Sequence, residues 1–403
     1  MNLNRLKQPK VTSWVVLGVM ILSVVFLSGF EYRMVDSSQQ SAAVPTLVPG
    51  PTVASSPATA SPTPLGQGNG PILGIDSGPQ LSYPGIPWVR ISYATCGGGD
   101  MLGDVLKSTI QTYHQQGVRI LLLMCQSSSG PQLFNAQPIN DVAHAGADAV
   151  QCGNEQMKYD PPATLYISPQ NFARYYDLCA SAVHAVNPKT PVLMGSLDPH
   201  VGGVDFQPLM DQVKYLNQMQ STMNTTVHPG GHWKWQEQTI GLIDSWHNGY
   251  PDDSVNSLYH LYQFWAQQFH VNLSSGQLGK HLWVIEGTGC FQGCGLDPNN
   301  AYQIAVSHIL TLITDVRTTM RYQVPFFYFS SQDFVLHDVY WPIGILDTHG
   351  QPKPLRQDLS PGARKLVMTC STGKQTVVDQ RQLLAALYKG CSLPANYVSI
   401  LVS

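Results

Sequence analysis

Two stretches hold the residues best suited to do chemistry. The first, Ala147-Asp-Ala-Val-Gln-Cys-Gly-Asn-Glu-Gln156, is a short apolar run that ends in Gly153, Asn154 and Glu155. The second, His281-Leu-Trp-Val-Ile-Glu-Gly-Thr-Gly289, repeats the design: an apolar run, a carboxylate at Glu286, then glycines. A carboxylate at the end of a buried strand is costly unless it lines a site. Two of them, well separated in sequence, point to carboxylates facing one another across a cleft. There one can hand over a proton while the other, kept ionised, attacks or stabilises charge. The alternative for each is a structural ion pair.

The elements that must position this pair follow from hydrophobic periodicity. Apolar runs read as strands at 72–75, 88–92, 118–124, up to Glu155, 191–195, 240–244, up to Glu286, and 324–329. Between them lie helical patterns near 101–116, 169–186, 206–223, 258–269 and 301–318. The second of these opens on Ser168 as its cap and stops at Asn187-Pro188. Short apolar strands alternating with helices imply parallel pairing, because parallel neighbours need crossovers. Eight such units predict an α/β fold, a (β/α)8 TIM barrel. A doubly wound open sheet is the alternative, but no G-x-G-x-x-G or P-loop follows the first strand. In a barrel, strands four and seven lie roughly opposite, so Glu155 and Glu286 project into one pocket at the C-terminal face. Two carboxylates flanking a glycosidic bond can divide its cleavage between proton transfer and attack on the anomeric carbon.

On these residues the chain resembles the clan A glycoside hydrolases, the broad group that contains families 5 and 39. Asn154-Glu155 is similar to the clan's Asn-Glu at the end of strand four, and Trp283-Val-Ile-Glu286-Gly to its strand-seven motif. The stretch Ile343-Gly-Ile-Leu-Asp-Thr-His-Gly-Gln-Pro-Lys-Pro354 resembles one these enzymes often carry after strand eight, so the likeness spans about 71–367. The resemblance implies Glu155 as acid/base and Glu286 as nucleophile. It also implies Arg90 beneath the nucleophile, holding it ionised, Asn154 on the sugar 2-hydroxyl, and His247 and Tyr250 near the nucleophile or the sugar. Each has a plainer alternative: Arg90 pairing with a neighbouring strand, Asn154 as a turn residue, His247 and Tyr250 in a wet aromatic loop. The clan's tryptophan at the end of strand eight is absent from Phe327-Tyr-Phe-Ser-Ser331, where Tyr328 is the expected substitute. Trp246, Trp233, Trp235 and Trp341 are candidates to stack on sugar faces or to pack the core. Asp76, Asp244 and Asp333 are carboxylates of the rim, suited to hydrogen bonding or loop capping.

Composition sets the wider frame. Of 403 residues, 43% are hydrophobic and only 12% charged, with formal net charge −3, so a large core is available and a basic stripe is not. Nucleic acid is excluded as a partner on that ground. Residues 1–10 are a basic N-terminus expected in the cytoplasm, and 11–30 form an uncharged run about long enough to span a bilayer. That run reads either as a signal-anchor or as a signal peptide cut near Ser41-Ala-Ala43. Residues 31–70 are a Pro/Ser/Thr-rich linker, 71–367 the barrel and 368–403 a C-terminal extension. Eight cysteines with no C-x-x-C pair suit an exported, disulfide-bonded chain. Cys290–Cys294 and Cys370–Cys391 are the expected bridges, Cys96–Cys125 a further one, and Cys152 and Cys179 are expected as buried thiols.

The expected activity is therefore a retaining hydrolase of β-linked glycosides or polysaccharides, acting outside the cell as a monomeric ectodomain. It needs no cofactor and no metal, since both working groups are carboxylates. Its membrane contact would be the N-terminal segment alone. The alternative is a catalytically silent barrel that binds polysaccharide at the cell surface.

Overall fold

The computed structural model describes residues 71–76, 85–93, 96, 103–126, 135–158, 166–198, 207–244, 257–287, 301–336, 339–341, 344–352 and 366–393. Eight parallel strands close into a barrel in sequence order. They are β1 (Leu73–Asp76), β2 (Trp88–Ser92), β3 (Arg119–Met124), β4 (Ala149–Cys152), β5 (Val192–Met194), β6 (Thr239–Asp244), β7 (Leu282–Gly287) and β8 (Phe326–Tyr328). The outer helices are α1 (Gly103–Gln115), α2 (Ala136–Ala143), α3 (Pro169–Val186), α4 (Gln207–Thr222), α5 (Ser257–Gln268) and α6 (Ala301–Tyr322). β8 pairs with β1 through Leu73↔Phe326 and Gly74↔Phe327, which closes the ring.

Side chains alternate across each strand, and the barrel is apolar on both faces, as a parallel sheet covered by helices must be. Trp88, Leu121, Ala149, Leu193, Trp283, Ile285 and Phe327 fill the inside. Their neighbours in sequence, such as Val89, Ile120, Val150 and Val284, face the helices. The inner plug is largely aromatic: Trp88 meets Trp283 edge-on at 6.2 Å between centroids, and Trp283 stacks on Phe327 at 6.4 Å. Each buried ring contributes roughly 1.5–3 kcal/mol. Gly74 is required beside it, because a Cβ there would lie 2.5 Å from the Phe327 ring.

The α3 helix begins as the sequence predicts, with the Ser168 side chain accepting from Asn171 N at 3.3 Å. The α2 helix is an addition. Its eight residues bury only Ile139, Val142 and Ala143, too short a pattern to register as periodic, and Asn135 caps it. Two hairpins were also unforeseen: β9 (Phe334–Leu336) with β10 (Val339–Trp341), and β11 (Leu366–Thr369) with β12 (Gln375–Val378). The C-terminal extension contains α7 (Gln380–Tyr388), opened by a capping box between Asp379 and Gln382. Tyr388 ties it to the barrel, its hydroxyl donating to the Gly74 carbonyl at 2.5 Å.

Three disulfides are present among the described residues: Cys96–Cys125, Cys152–Cys179 and Cys370–Cys391. The second corrects the expectation of buried thiols. Cys152 closes β4 on the helix-facing side and Cys179 lies on the buried face of α3, with their Cα atoms 6.2 Å apart. Bridges of this kind suit an oxidising, extracytoplasmic setting. Among the described residues no helix is long and apolar enough to cross a membrane. Residues 11–30, Cys290 and Cys294 lie outside the described residues.

The Cys152–Cys179 bridge closes 27 residues. Replacing both by Ala should lower unfolding free energy by about 3–4 kcal/mol, read from denaturant melts, with the Cys96–Cys125 bridge intact. An unchanged midpoint, together with two titratable thiols in unfolded wild type, would show that no such bridge forms.

Candidate active site

Directly above the aromatic plug, the inward positions turn polar. Asp76 ends β1, Arg90 sits mid-β2 and Gln151 lies in β4, each two residues after an inward position, Gly74, Trp88 and Ala149. Arg90 is only 2% exposed, and a guanidinium so buried must be fully bonded. Its Nε donates to Gln151 Oε1 at 3.0 Å and its Nη2 to Asn154 Oδ1 at 3.1 Å. Its Nη1 pairs with Glu286 Oε1 at 2.8 Å and also with Asp76 Oδ2.

Two local departures from regular strand geometry bring the carboxylates to this cation. In β7 the register against both neighbours slips by one residue between Val284 and Gly287. Trp283 and Ile285 both face inward, so strict alternation would send Glu286 out toward the helices. The extra residue re-aims it into the mouth. Beyond β4 the chain turns at Gly153 (φ +93°), and Glu155 adopts φ +46°, uncommon for a residue with a Cβ. Hydrogen bonds over-determine that shape. The Gln126 side chain takes both backbone groups of Asn154, accepting from its N at 2.8 Å and donating to its O at 2.7 Å. Glu155 N donates to Ser196 Oγ at 3.2 Å, and Met157 N to Leu197 O at 3.1 Å. Gly195 makes this approach of β4 and β5 feasible, since a Cβ there would collide with the Gly153 carbonyl.

Asn154 is oriented by the same network. Its Oδ1 accepts from Arg90 Nη2, from Gln151 Nε2 at 3.1 Å and from Ser196 Oγ at 3.1 Å, which assigns the amide and directs Nδ2 elsewhere. Lys158 Nζ lies 3.3 Å from Glu155 Oε2. Burial raises the Glu286 pKa, and the charges of Glu155 and Asp198 raise it further; Arg90 opposes them without prevailing. Arg90 thus works toward keeping Glu286 ionised, as expected of a cation at that place, without cancelling the effect of burial. Arg90 itself is pushed up, burial being outweighed by Asp76 and then Glu286.

The structure therefore brings Glu286, Arg90 and Asn154 into direct contact, with Glu155 close enough for its charge to bear on Glu286. Tyr328 does not join them. It is 2% exposed and faces the helices, among Asp333, Asp315 and Tyr388. Alternation puts Phe327 inside and Tyr328 outside, so the half-buried aromatic at the rim is Phe329, whose N donates to Gly287 O at 3.1 Å. Trp246, His247 and Tyr250 lie outside the described residues, as does the Trp341 side chain. Trp235 is a core residue packed on Trp265 and Phe269, and Trp233 packs on Tyr176. Both precede β6 and so belong to the opposite end of the barrel. Asp244 is buried at the end of β6 and pushed up to about 7 by that burial. Gln151, Gln126, Ser196 and Lys158 were missed by motif reading. Only Gln151 left a signal, as a polar residue in the buried run Ala149-Val-Gln-Cys152.

Replacing Arg90 by Met should cost about 3–5 kcal/mol of stability, because Asp76 and Glu286 lose their shared cation. It should also raise the Glu286 pKa further, moving the acidic limb of any pH–rate profile to higher pH. Arg90→Lys should restore part of both. A limb that stays in place in Arg90→Met would separate Arg90 from the titration.

No protein-family model matches the chain, and no curated protein matches it. Solved structures do. It is similar to GH5_18 from Streptomyces cattleya, with 11% identity, 80% of this chain and 88% of that one covered, and a TM-score of 0.46. It is similar to the catalytic domain of a mannanase from Streptomyces sp. SirexAA-E, with 10% identity, 69% and 79% coverage, and a TM-score of 0.41. A GH30 endoxylanase from Clostridium papyrosolvens C71 shares 13% identity over 79% and 70%, with a TM-score of 0.40. These neighbours are clan A glycoside hydrolases; the closed barrel of this chain is read from its own strand pairing.

Proposed function

We propose that the chain is a retaining glycoside hydrolase that cleaves β-linked glycosides or polysaccharides. The observation that carries this is the Glu286–Arg90 pair at the barrel mouth, with the charge of Glu155 bearing on Glu286. Glu286 attacks the anomeric carbon while Glu155 protonates the departing oxygen. Glu155 then takes a proton from the water that hydrolyses the glycosyl–enzyme. Arg90, pinned by Asp76, Gln151 and Asn154, holds Glu286 through Oε1 and supplies charge in a site where water is scarce. Asn154, with Oδ1 already occupied by three donors, presents Nδ2 to a sugar hydroxyl. His247, Tyr250 and Trp246 belong to the same proposal as substrate contacts after β6.

One observation favours the silent, polysaccharide-binding barrel. Lys158 Nζ lies 3.3 Å from Glu155 Oε2, an ion pair that occupies the carboxylate a general acid would use. The two readings separate on a panel of nitrophenyl β-glycosides and polysaccharides: binding throughout without bond cleavage favours the silent barrel. For the hydrolase, Glu155→Ala should keep fast glycosylation with an activated leaving group, and added azide should restore turnover and give the β-glycosyl azide. Glu286→Ala should be nearly inactive, with azide yielding the α-product. The opposite pattern exchanges the two roles. A first product of inverted anomeric configuration, seen by NMR, would sink the retaining mechanism, which places the carboxyls about 5–5.5 Å apart.

We place the domain outside the cell, delivered by residues 1–70. Full-length chain expressed with its N-terminus should be found with membranes if 11–30 anchors it, and shortened in the medium if cut near Ser41-Ala-Ala43. Full-length chain remaining in the cytosol would refute export.

A further inference from the structure

We infer that Gln126 is a positioning residue for the proposed acid/base: from the end of β3 it clamps the peptide that aims Glu155, and so serves protonation of the leaving oxygen rather than attack by Glu286. The inference rests on the hydrolase reading and deepens it. Gly153 N still donates to Met124 O at 2.7 Å, as a ladder residue does. Asn154 lies beyond the paired residues of β4 and is 9% exposed, so its peptide groups must find other partners or be buried at a cost. Gln126, two residues beyond Met124 and 2% exposed, supplies both. A primary amide carries a donor and an acceptor, as a peptide does. It accepts from Asn154 N at 2.8 Å and donates to Asn154 O at 2.7 Å, so a side chain continues the β3–β4 pairing where the backbone does not.

The carbonyl that Gln126 holds belongs to the peptide unit joining Asn154 to Glu155. The other end of that unit, Glu155 N, donates to Ser196 Oγ at 3.2 Å. The unit is therefore gripped from the β3 side by Gln126 and from the β5 side by Ser196. Its orientation sets the φ of Glu155, and a value of +46° persists only where the surroundings enforce it. With one grip removed, the unit can rotate toward commoner backbone shapes and carry the Glu155 carboxyl with it.

Glu286 is held differently. Arg90 bonds to it, and Asp76 and Gln151 steady that guanidinium from β1 and β4. The clamp itself stands on tied strand ends. Cys125, next to Gln126, is bridged to Cys96, and Cys152, two residues before Asn154, to Cys179. Tyr175 on α3 adds a bond from its hydroxyl to Met124 O at 3.0 Å. Loss of Gln126 should thus displace one carboxyl and leave the other in place. A displacement on the order of 1 Å is enough to cost about a hundredfold in rate.

The test uses full-length protein and two β-glycosides of the sugar that wild type cleaves on the nitrophenyl panel. The 2,4-dinitrophenyl glycoside has a leaving group that departs without a proton; the phenyl glycoside needs one. In Gln126→Met, kcat/KM on the phenyl glycoside should fall about a hundredfold, and that on the dinitrophenyl glycoside by no more than about threefold. Gln126→Glu separates positioning from a packing defect, and decides alone if Gln126→Met does not fold. Its carboxyl offers one donor and one acceptor when protonated, and no donor when ionised. Its phenyl-glycoside rate relative to wild type should therefore climb as pH falls, whereas the Gln126→Met ratio should not change with pH. Equal losses on the two substrates in Gln126→Met, no loss on either, or a Gln126→Glu ratio indifferent to pH would each overturn the inference. Wild type inactive on every substrate would remove the hydrolase reading and the inference with it; an active wild type with equal losses in the variant would remove the inference alone.

Discussion

The barrel mouth depends on one buried cation. Arg90 is almost wholly buried, so Asp76, Glu286, Gln151 and Asn154 are arranged around it, drawn from β1, β7 and the end of β4. The geometry of each of these groups is therefore coupled to the others. Moving the guanidinium would leave two carboxylates uncompensated in a dry pocket, a far larger penalty than the bond to any one partner is worth. The same burial explains why the Glu286 pKa is raised despite the arginine beside it. One buried cation shared between carboxylates cannot offset desolvation together with repulsion from Glu155 and Asp198.

Beneath this polar layer, the aromatic plug of Trp88, Trp283 and Phe327 gives the site a rigid floor. A packed interior of this kind deforms little. The strand ends above it can then hold unfavourable backbone shapes, such as the left-handed Glu155, without relaxing. Disulfides lie just outside the same strands: Cys152, at the end of β4, is tied to α3 only three residues before Glu155. In a chain with so few charges, covalent ties and buried hydrogen bonds take a share of the work that surface ion pairs would do weakly in any case.

At the rim, the aromatic residues divide by strand parity. Phe327 points inward, Tyr328 outward to Asp333 and α7, and Phe329 returns to the mouth beside Gly287. Phe334, at the start of the β9–β10 hairpin, packs edge-on against Phe329.

Much of this was legible in the chain itself. Eight apolar runs alternating with amphipathic ones dictate a closed parallel barrel, because burial on both faces and the need for crossovers are local properties of each run. The carboxylates at the ends of runs four and seven, and the arginine inside run two, stood out because a charge in an apolar strand is expensive wherever the strand goes. Four things were decided only by tertiary structure. The one-residue slip that turns Glu286 inward arises from pairing with β6 and β8, and no pattern within Leu282–Gly287 records it. The partners Gln126, Ser196 and Lys158 are ordinary polar residues until folding places them against Asn154 and Glu155. Tyr328 looked like a rim aromatic by position, but period-two alternation within the closed ring buries it, and Cys152 meets Cys179 only because β4 and α3 face each other. Sequence periodicity sets which side of an element is apolar. Which polar groups then converge depends on register and closure, and these are properties of neighbouring strands rather than of any one of them.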